Sequence, residues 1–301
     1  MYSYDGLKKQ LELKNMKKSD LVSELGISSR TIAKISRGEK LADGVLARLS
    51  GFFGCQREDL VTETCANKLL RCLREEKNAK ISGGLYHETQ VRLTYNSNRI
   101  EGSRLSEDQT RLIFETNTIG SADGVLVDDI IETANHFRAI DFCLDLAEDV
   151  LTEEIIKRLH EILKTGTRDS QLSWFNVGEY KLRPNVVGGE ETTPPSRVAA
   201  KMKKLLSDYN QKERIDLRDI IEFHCEFEKI HPFQDGNGRV GRLIAFKECL
   251  RFNIVPFIIE DSKKMFYYRG LKEWRTEPGF LIETCLDGQD TFKALMRYFD
   301  V

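Results

Sequence analysis

The densest chemistry in the chain lies at 231–242: His231-Pro232-Phe233-Gln234-Asp235-Gly236-Asn237-Gly238-Arg239-Val240-Gly241-Arg242. His231 offers a group that can take a proton near neutral pH. Asp235 offers a hard oxygen for Mg²⁺, an ion that commonly takes one or two carboxylates and completes its shell with substrate phosphates. Gly236 and Gly238 permit tight backbone and close approach of a ligand. If a helix starts here, the N–H groups of Gly236, Asn237 and Gly238 converge as an anion nest at its positive end. Arg239 and Arg242 are three apart, hence on one helix face, and their planar forks match phosphate oxygens. A base, a metal ligand, an anion nest and paired arginines describe phosphoryl-type chemistry on a nucleotide. The segment is not a P-loop, because GxxxxGK[ST] is absent.

Such a cluster needs one helix to deliver His231 and another to carry the arginines. The apolar pattern predicts the first over 217–230, broken by Pro232, and the second over 239–252. Further helices are expected upstream. Ser106 with Gln109 forms a capping box. Ile130, Ile131, Ala134, Phe137, Ile140, Phe142 and Leu144 make one broad apolar face over 128–148. Thr152 caps 153–163, and 196–209 continues the pattern. A last helix is expected near 290–299. Only 177–189 looks extended, with Val186-Val187 before a Gly188-Gly189 turn signal. The expected fold class is all-α with one short β-hairpin.

The chain has 301 residues, 40% hydrophobic and 31% charged, with 6 Pro. That length suggests two domains, and the composition is globular rather than disordered. A net charge of −2 argues against a polyanion binder acting through its whole surface. No apolar run approaches the ~20 residues of a membrane span. The N-terminal residues lack the layout of a signal peptide. The seven cysteines are Cys55, Cys65, Cys72, Cys143, Cys225, Cys249 and Cys285. They form no CxxC pair, so a zinc site is not expected and reduced thiols in a cytoplasmic protein are.

Charge is uneven. Residues 1–50 hold ten Lys or Arg against six Asp or Glu, which leaves an acidic body. Ser19 is expected to cap a short helix over 20–25, and Gly26 to stop it. Ser28-Ser29 opens a second helix through Arg37, ended by Gly38. Helix, glycine turn, helix is the layout that places its second helix in a major groove. Ser28, Ser29, Arg30, Thr31, Lys34 and Arg37 would face bases and phosphates. Residues 21–39 resemble the Cro/cI-type (XRE-like) helix-turn-helix family, followed by a closing helix near 45–49. A small helical bundle that only dimerises remains the alternative. The expected division is a helix-turn-helix domain over 1–62, a helical connector over 63–84, and a body over 85–301.

The segment 231–242 matches, position for position, HPFx[DE]GNGRxxR of the Fic family. Similarity to Fic proteins implies a helical core that transfers AMP from ATP to a hydroxyl side chain of a protein. In that resemblance His231 deprotonates the Ser, Thr or Tyr hydroxyl, and Asp235 holds Mg²⁺ against the α- and β-phosphates. Gly236, Asn237 and Gly238 line the anion hole, Arg239 binds the β-phosphate, and Arg242 the γ-phosphate. Phe233 is implied to be a buried anchor. Ser97-Asn98-Arg99-Ile100-Glu101-Gly102 fits the family's inhibitory pattern [ST]xxxE[GN], with an inhibitory helix around 90–102. There Glu101 pairs with Arg242 and blocks productive placement of the γ-phosphate. In some members that Glu positions water for AMP removal instead. The hairpin Val186-Val187-Gly188 resembles the flap that docks an extended target segment. Tyr268 resembles a tyrosine near adenine, although Arg275 stands where the family often carries Asn. The resemblance thus implies ATP and Mg²⁺ as ligands. The expected partners are a target protein, DNA at the N-terminus and a second copy in a homodimer. A transcription regulator whose body only senses nucleotide is the rival. A phosphate or phosphocholine transferase is a third alternative, because Fic-like folds vary their nucleotide.

Overall fold

A computed structural model describes the whole chain except residues 1, 38, 64–66 and 122, and leaves out the side chains of 5, 37, 62 and 63. Gly38 and Cys65 therefore lie outside the described residues, as does the side chain of Arg37.

The chain divides into two compact units, Met1–Lys68 and Leu69–Val301. The first contains α1 (Asp5–Leu13), α2 (Asp20–Leu25), α3 (Ser29–Arg37), α4 (Asp43–Phe53) and α5 (Arg57–Leu60). Its core is Leu7, Leu11, Leu21, Ile27, Ile35, Leu49, Phe53 and Leu60. Gly26 ends α2 in the left-handed conformation, with φ 59°. Ser28 Oγ accepts the Thr31 N–H at 3.2 Å, which caps α3. Ser19 does not cap α2. Its backbone is already helical, and its hydroxyl donates to Asp20 Oδ1 at 3.2 Å. Asp20 accepts the Lys17 N–H at 2.7 Å. The unit also holds an unforeseen antiparallel pair, β1 (Tyr2–Ser3) with β2 (Thr62–Glu63).

The second unit is helical. It runs through α6 (Lys68–Ala79), α7 (Leu85–Ile100), α8 (Glu107–Thr116), α9 (Val127–Asp145) and α10 (Glu153–Lys164). It continues through α11 (Pro195–Asn210), α12 (Leu217–Ile230), α13 (Asn237–Arg251), α14 (Lys264–Glu273) and α15 (Gly279–Tyr298). The helix expected as a connector, α6, is tied to the end of α9. Arg74 Nε donates to Leu144 O at 2.9 Å, and Lys77 pairs with Asp145 at 2.5 Å. Ser106 and Gln109 exchange their hydrogen bonds at the start of α8, and Thr152 caps α10. The long α7 packs against α8, α9, α13 and α15. One large core gathers Ile221, Cys225, Ala245, Cys249, Tyr267, Leu281 and Cys285 from α12 to α15.

Two boundaries differ from expectation. The last helix begins at Gly279, eleven residues before the expected start. Gly288 sits inside it because an added Cβ would lie 2.6 Å from Ile258 O. The extended stretch shrinks to β3 (Val186–Val187) and β4 (Glu190–Glu191), because 177–185 is turn, bend and irregular chain. Among the described residues, no helix is long and apolar enough to cross a membrane.

Candidate active site at the start of α13

α12 and α13 pack on each other and are joined by the His231–Gly236 turn. His231 itself is the left-handed cap of α12, with φ 50° and its N–H on Phe227 O at 2.9 Å. Left-handed backbone is unusual away from Gly and Asn. Phe233 supports it: its ring is fully buried and stacks on His160 at 4.0 Å. Asn237 locks the other side. Its Oδ1 accepts the Phe233 N–H at 2.8 Å, and its Nδ2 donates to Phe233 O at 2.9 Å. Its side chain therefore shapes the turn. Gly236 sits at the N-cap of α13 with φ 78°, and the first helical bond runs from Val240 N–H to Gly236 O at 3.0 Å. The N–H groups of Asn237 and Gly238 precede that ladder at the positive end of the helix.

Arg242 is buried and paired with the end of α7. Its Nη2 donates to Glu101 Oε1 at 2.7 Å and to Ser97 O at 2.8 Å, and its Nε donates to Ser97 Oγ at 3.0 Å. Burial alone would lower its pKa, but the Glu101 carboxylate holds it above the ordinary arginine value. The same carboxylate fills the space that a side chain on Gly238 would need.

Arg239 is equally buried and meets Glu132 of α9. Lys164, in the last turn of α10, joins this pair. Its Nζ contacts Glu132 Oε1 at 2.5 Å and Asp235 Oδ2 at 2.7 Å. Arg239 Nη2 reaches the same Asp235 oxygen at 3.3 Å. Burial would raise the Asp235 pKa, but Arg239 and Lys164 hold it well below the carboxylate range.

Burial, with Lys181 nearby, pushes the His231 pKa down to about 4, so the ring is neutral at pH 7. Three residues earlier, Glu228 is partly buried, and its Oε1, shielded from solvent, has no hydrogen-bond partner among the described residues. Burial first, and the charge of Glu101 next, push its pKa up to about 8.

The hairpin is rooted on this turn. The Lys181 N–H donates to Pro232 O at 2.8 Å, and Asn185 Nδ2 lies 3.4 Å from both Phe233 O and Gln234 O. Val186 and Val187 are exposed, and Gly188 and Gly189 turn with φ 58° and 85°. Tyr268 is partly exposed and donates to Ile100 O at 3.2 Å. The neighbouring Tyr267 is the one that touches Arg242, at 3.4 Å, while bonded to His224 at 2.7 Å. In the first unit, Ser28, Ser29 and Arg30 are exposed, and Thr31 and Lys34 are partly so.

The structure thus brings His231, Asp235, Gly236, Asn237, Gly238, Arg239, Arg242, Ser97 and Glu101 together around the start of α13. Sequence reasoning missed Glu132, Lys164, Tyr267 and Glu228. None lies in a recognisable spacing.

The Fic/DOC family matches residues 150–248, and the Cro/C1-type HTH DNA-binding domain matches residues 6–64. The chain is thus similar to Cro/C1-type helix-turn-helix domains within its first unit and to the Fic/DOC family over part of its second. It is 26% identical over 236 residues to the protein adenylyltransferase Fic of Drosophila grimshawi, across 73% of this chain and 47% of that protein. The Drosophila mojavensis counterpart is 28% identical over 182 residues, across 59% and 35%. The chain spans about half the length of the first of these or less. Among solved structures, a Fic domain containing signaling protein of Bacteroides thetaiotaomicron is similar at TM-score 0.57 and 25% identity, covering 76% of this chain and 90% of that one. Fic-1 of C. elegans shares the fold at TM-score 0.62 and 18% identity, covering 98% and 85%.

Proposed function

We propose that the chain transfers AMP from ATP to a hydroxyl side chain of a target protein, and that Glu101 restrains the reaction. The carrying observation is that a neutral His231, the half-exposed Asp235 and two buried arginines converge on the start of one helix. The residues suit a nucleotide triphosphate. Arg239 Nε is buried with no hydrogen-bond partner, and the space beside Gly238 is occupied by the Glu101 carboxylate, an anion standing where a phosphate would. Asp235 suits Mg²⁺ as a single carboxylate ligand, because its carboxyl is held ionised and half exposed at the start of α13. When bound, the ion would neutralise phosphate charge.

His231 takes the proton of the target hydroxyl as its oxygen attacks the α-phosphorus. The bond to pyrophosphate breaks, and Arg239 and Arg242 stabilise the leaving charge. Val186, Val187 and Gly188 offer their exposed strand edge to an extended target segment. Tyr268 lines the nucleoside end. The first unit binds duplex DNA, with the chain acting as a dimer.

Incubating the full chain with Mg²⁺ and ATP labelled at the α-phosphate tests this reading. Label should enter protein, more so in Glu101→Gly, and not at all in His231→Ala. Labelling that persists in His231→Ala overturns it. Nucleotide binding without any transfer in Glu101→Gly favours the sensor alternative.

A further inference from the structure

Four buried or half-buried charges close a ring at the Asp235 end of the site. Asp235 Oδ2 receives Lys164 Nζ at 2.7 Å and Arg239 Nη2 at 3.3 Å. Glu132 Oε1 receives the same Lys164 at 2.5 Å, and its Oε2 receives Arg239. The signs alternate round the ring, and they cancel. The side chains of Lys164, Arg239 and Glu132 are 3%, 6% and 12% exposed, whereas that of Asp235 is 51% exposed. The ring therefore has three closed corners and one that opens outward.

Both cations crowd one oxygen of Asp235. Among the described residues no side chain donates to the other, Oδ1. A carboxylate held in this way is aimed: both cations anchor Oδ2, and the Gly236 N–H steadies the group from the backbone. Its attraction for a bare divalent cation is also opposed by two fixed positive charges a few ångström behind it. A nucleotide triphosphate carrying its cation is net negative, so the same Lys164 and Arg239 attract it.

Given the reading above, in which Asp235 is the metal ligand, we infer that Lys164 is a positioning residue that aims Asp235 and makes the site accept a divalent cation only together with a triphosphate. Glu132 works with it by keeping Lys164 and Arg239 in place and balancing their charge. An ion pair that merely glued α9 to α10 would not need the exposed Asp235, yet Lys164 contacts it directly.

The test is direct cation binding, read by the Mn²⁺ resonance signal of the full chain in a Glu101→Gly background. Mn²⁺ is titrated alone and with α,β-methylene-ATP, whose bridge resists cleavage at the reacting bond. With Lys164 present, Mn²⁺ alone should bind at least about tenfold more weakly than Mn²⁺ with the analogue. Lys164→Met should strengthen binding of Mn²⁺ alone about tenfold and weaken binding of the Mn²⁺–analogue complex. Glu132→Gln should shift Mn²⁺ alone the other way, so the sign survives if either variant folds poorly. A change of less than about twofold in Mn²⁺ affinity with either folded variant overturns the inference. Asp235→Asn serves as the reference. If it leaves Mn²⁺–analogue binding unchanged, the metal-ligand reading itself fails, which is a separate result.

Discussion

Glu101 Oε1 lies 2.7 Å from Arg242 Nη2, and the same oxygen occupies the space that a side chain on Gly238 would need. One carboxylate from the end of α7 thus engages both the arginine and the glycine of the α13 start. Ser97, one turn earlier, holds the same guanidinium through its hydroxyl and its carbonyl. A phosphate cannot occupy Arg242 Nη2 while Glu101 does.

Replacing Glu101 by Gly should raise AMP transfer, self-modification included. A charge-assisted hydrogen bond contributes about 1.5–3 kcal/mol, or roughly 10- to 150-fold in an equilibrium constant. Transfer should rise by that range if misplaced ATP is the main block. Adding Arg242→Ala should cancel the gain, because the γ-phosphate loses its partner. Label incorporation by wild type, Glu101→Gly and the double variant decides. Equal rates for the first two would remove the inhibitory role from Glu101.

His231→Ala should abolish transfer while ATP binding and the melting temperature stay near wild type. His231 is partly exposed and caps α12 through its backbone, in a turn held by Phe233 and Asn237. With a folded pKa of about 4, the neutral base form dominates above that pH and is lost as pH falls through it. The acid limb of a pH–rate profile in Glu101→Gly should therefore lie near 4, well below the ~6.5 of a free imidazole. A limb at 6–7 would contradict the burial of this ring.

Buried groups should also shape stability against pH, with opposite signs. His136, His160 and His224 are each pushed to about 3 by burial, with nearby cations adding to it. Between ~6.5 and 3 the unfolded chain binds protons there that the folded chain does not, so stability is lost as pH falls. Glu228, at about 8, is the reverse. Between its ordinary value of 4.5 and about 8 the folded chain holds a proton that the unfolded chain has released, so stability is lost as pH rises. Each group acts with a slope of up to about 1.4 kcal/mol per pH unit. Thermal melts of Glu228→Gln should decline less than wild type between pH 6 and 8. Parallel curves would show that Glu228 is ionised in the folded chain.

Much of this was legible in the sequence for one reason: the α13 start is contiguous. Twelve adjacent residues carry the base, the carboxylate, the nest and both arginines, and a helix start converts that order into geometry. Glu101 is 141 residues from Arg242, yet it sits in a short spacing pattern. Lys164 and Glu132 carry no such pattern. Each is one charged residue on an amphipathic helix, and only the packing of α9 and α10 against α13 brings them to Asp235. Tyr267 stood beside the tyrosine singled out, but which of two adjacent residues faces Arg242 depends on the rotation of α14. The start of α15 was hidden because Gly279 and Gly288 look like helix breakers. The β1–β2 pair was hidden because two-residue strands have no period to detect.

α3 carries the cations best placed to meet a phosphate backbone. Arg30 is exposed, and Lys34 lies one turn further on, only partly covered, while Ile35 on the opposite side is buried in the core. Ser28 and Thr31 bond to each other at 2.9 Å, so their hydroxyls must rearrange or share that bond to reach a base. The charged pair is therefore the better probe. If α3 lies in a major groove, each cation that meets a phosphate releases counterions. The logarithm of affinity then falls with the logarithm of salt by about 0.9 per contact. Arg30→Ala and Lys34→Ala should each shallow that slope by about one contact at a duplex selected for binding, with no loss of melting temperature. Ile35→Ala should do the opposite, lowering the melting temperature by opening the core. If both charge variants keep the wild-type slope, α3 is not the helix that meets DNA, and Ser28, Arg30, Thr31, Lys34 and Arg37 lose that role together.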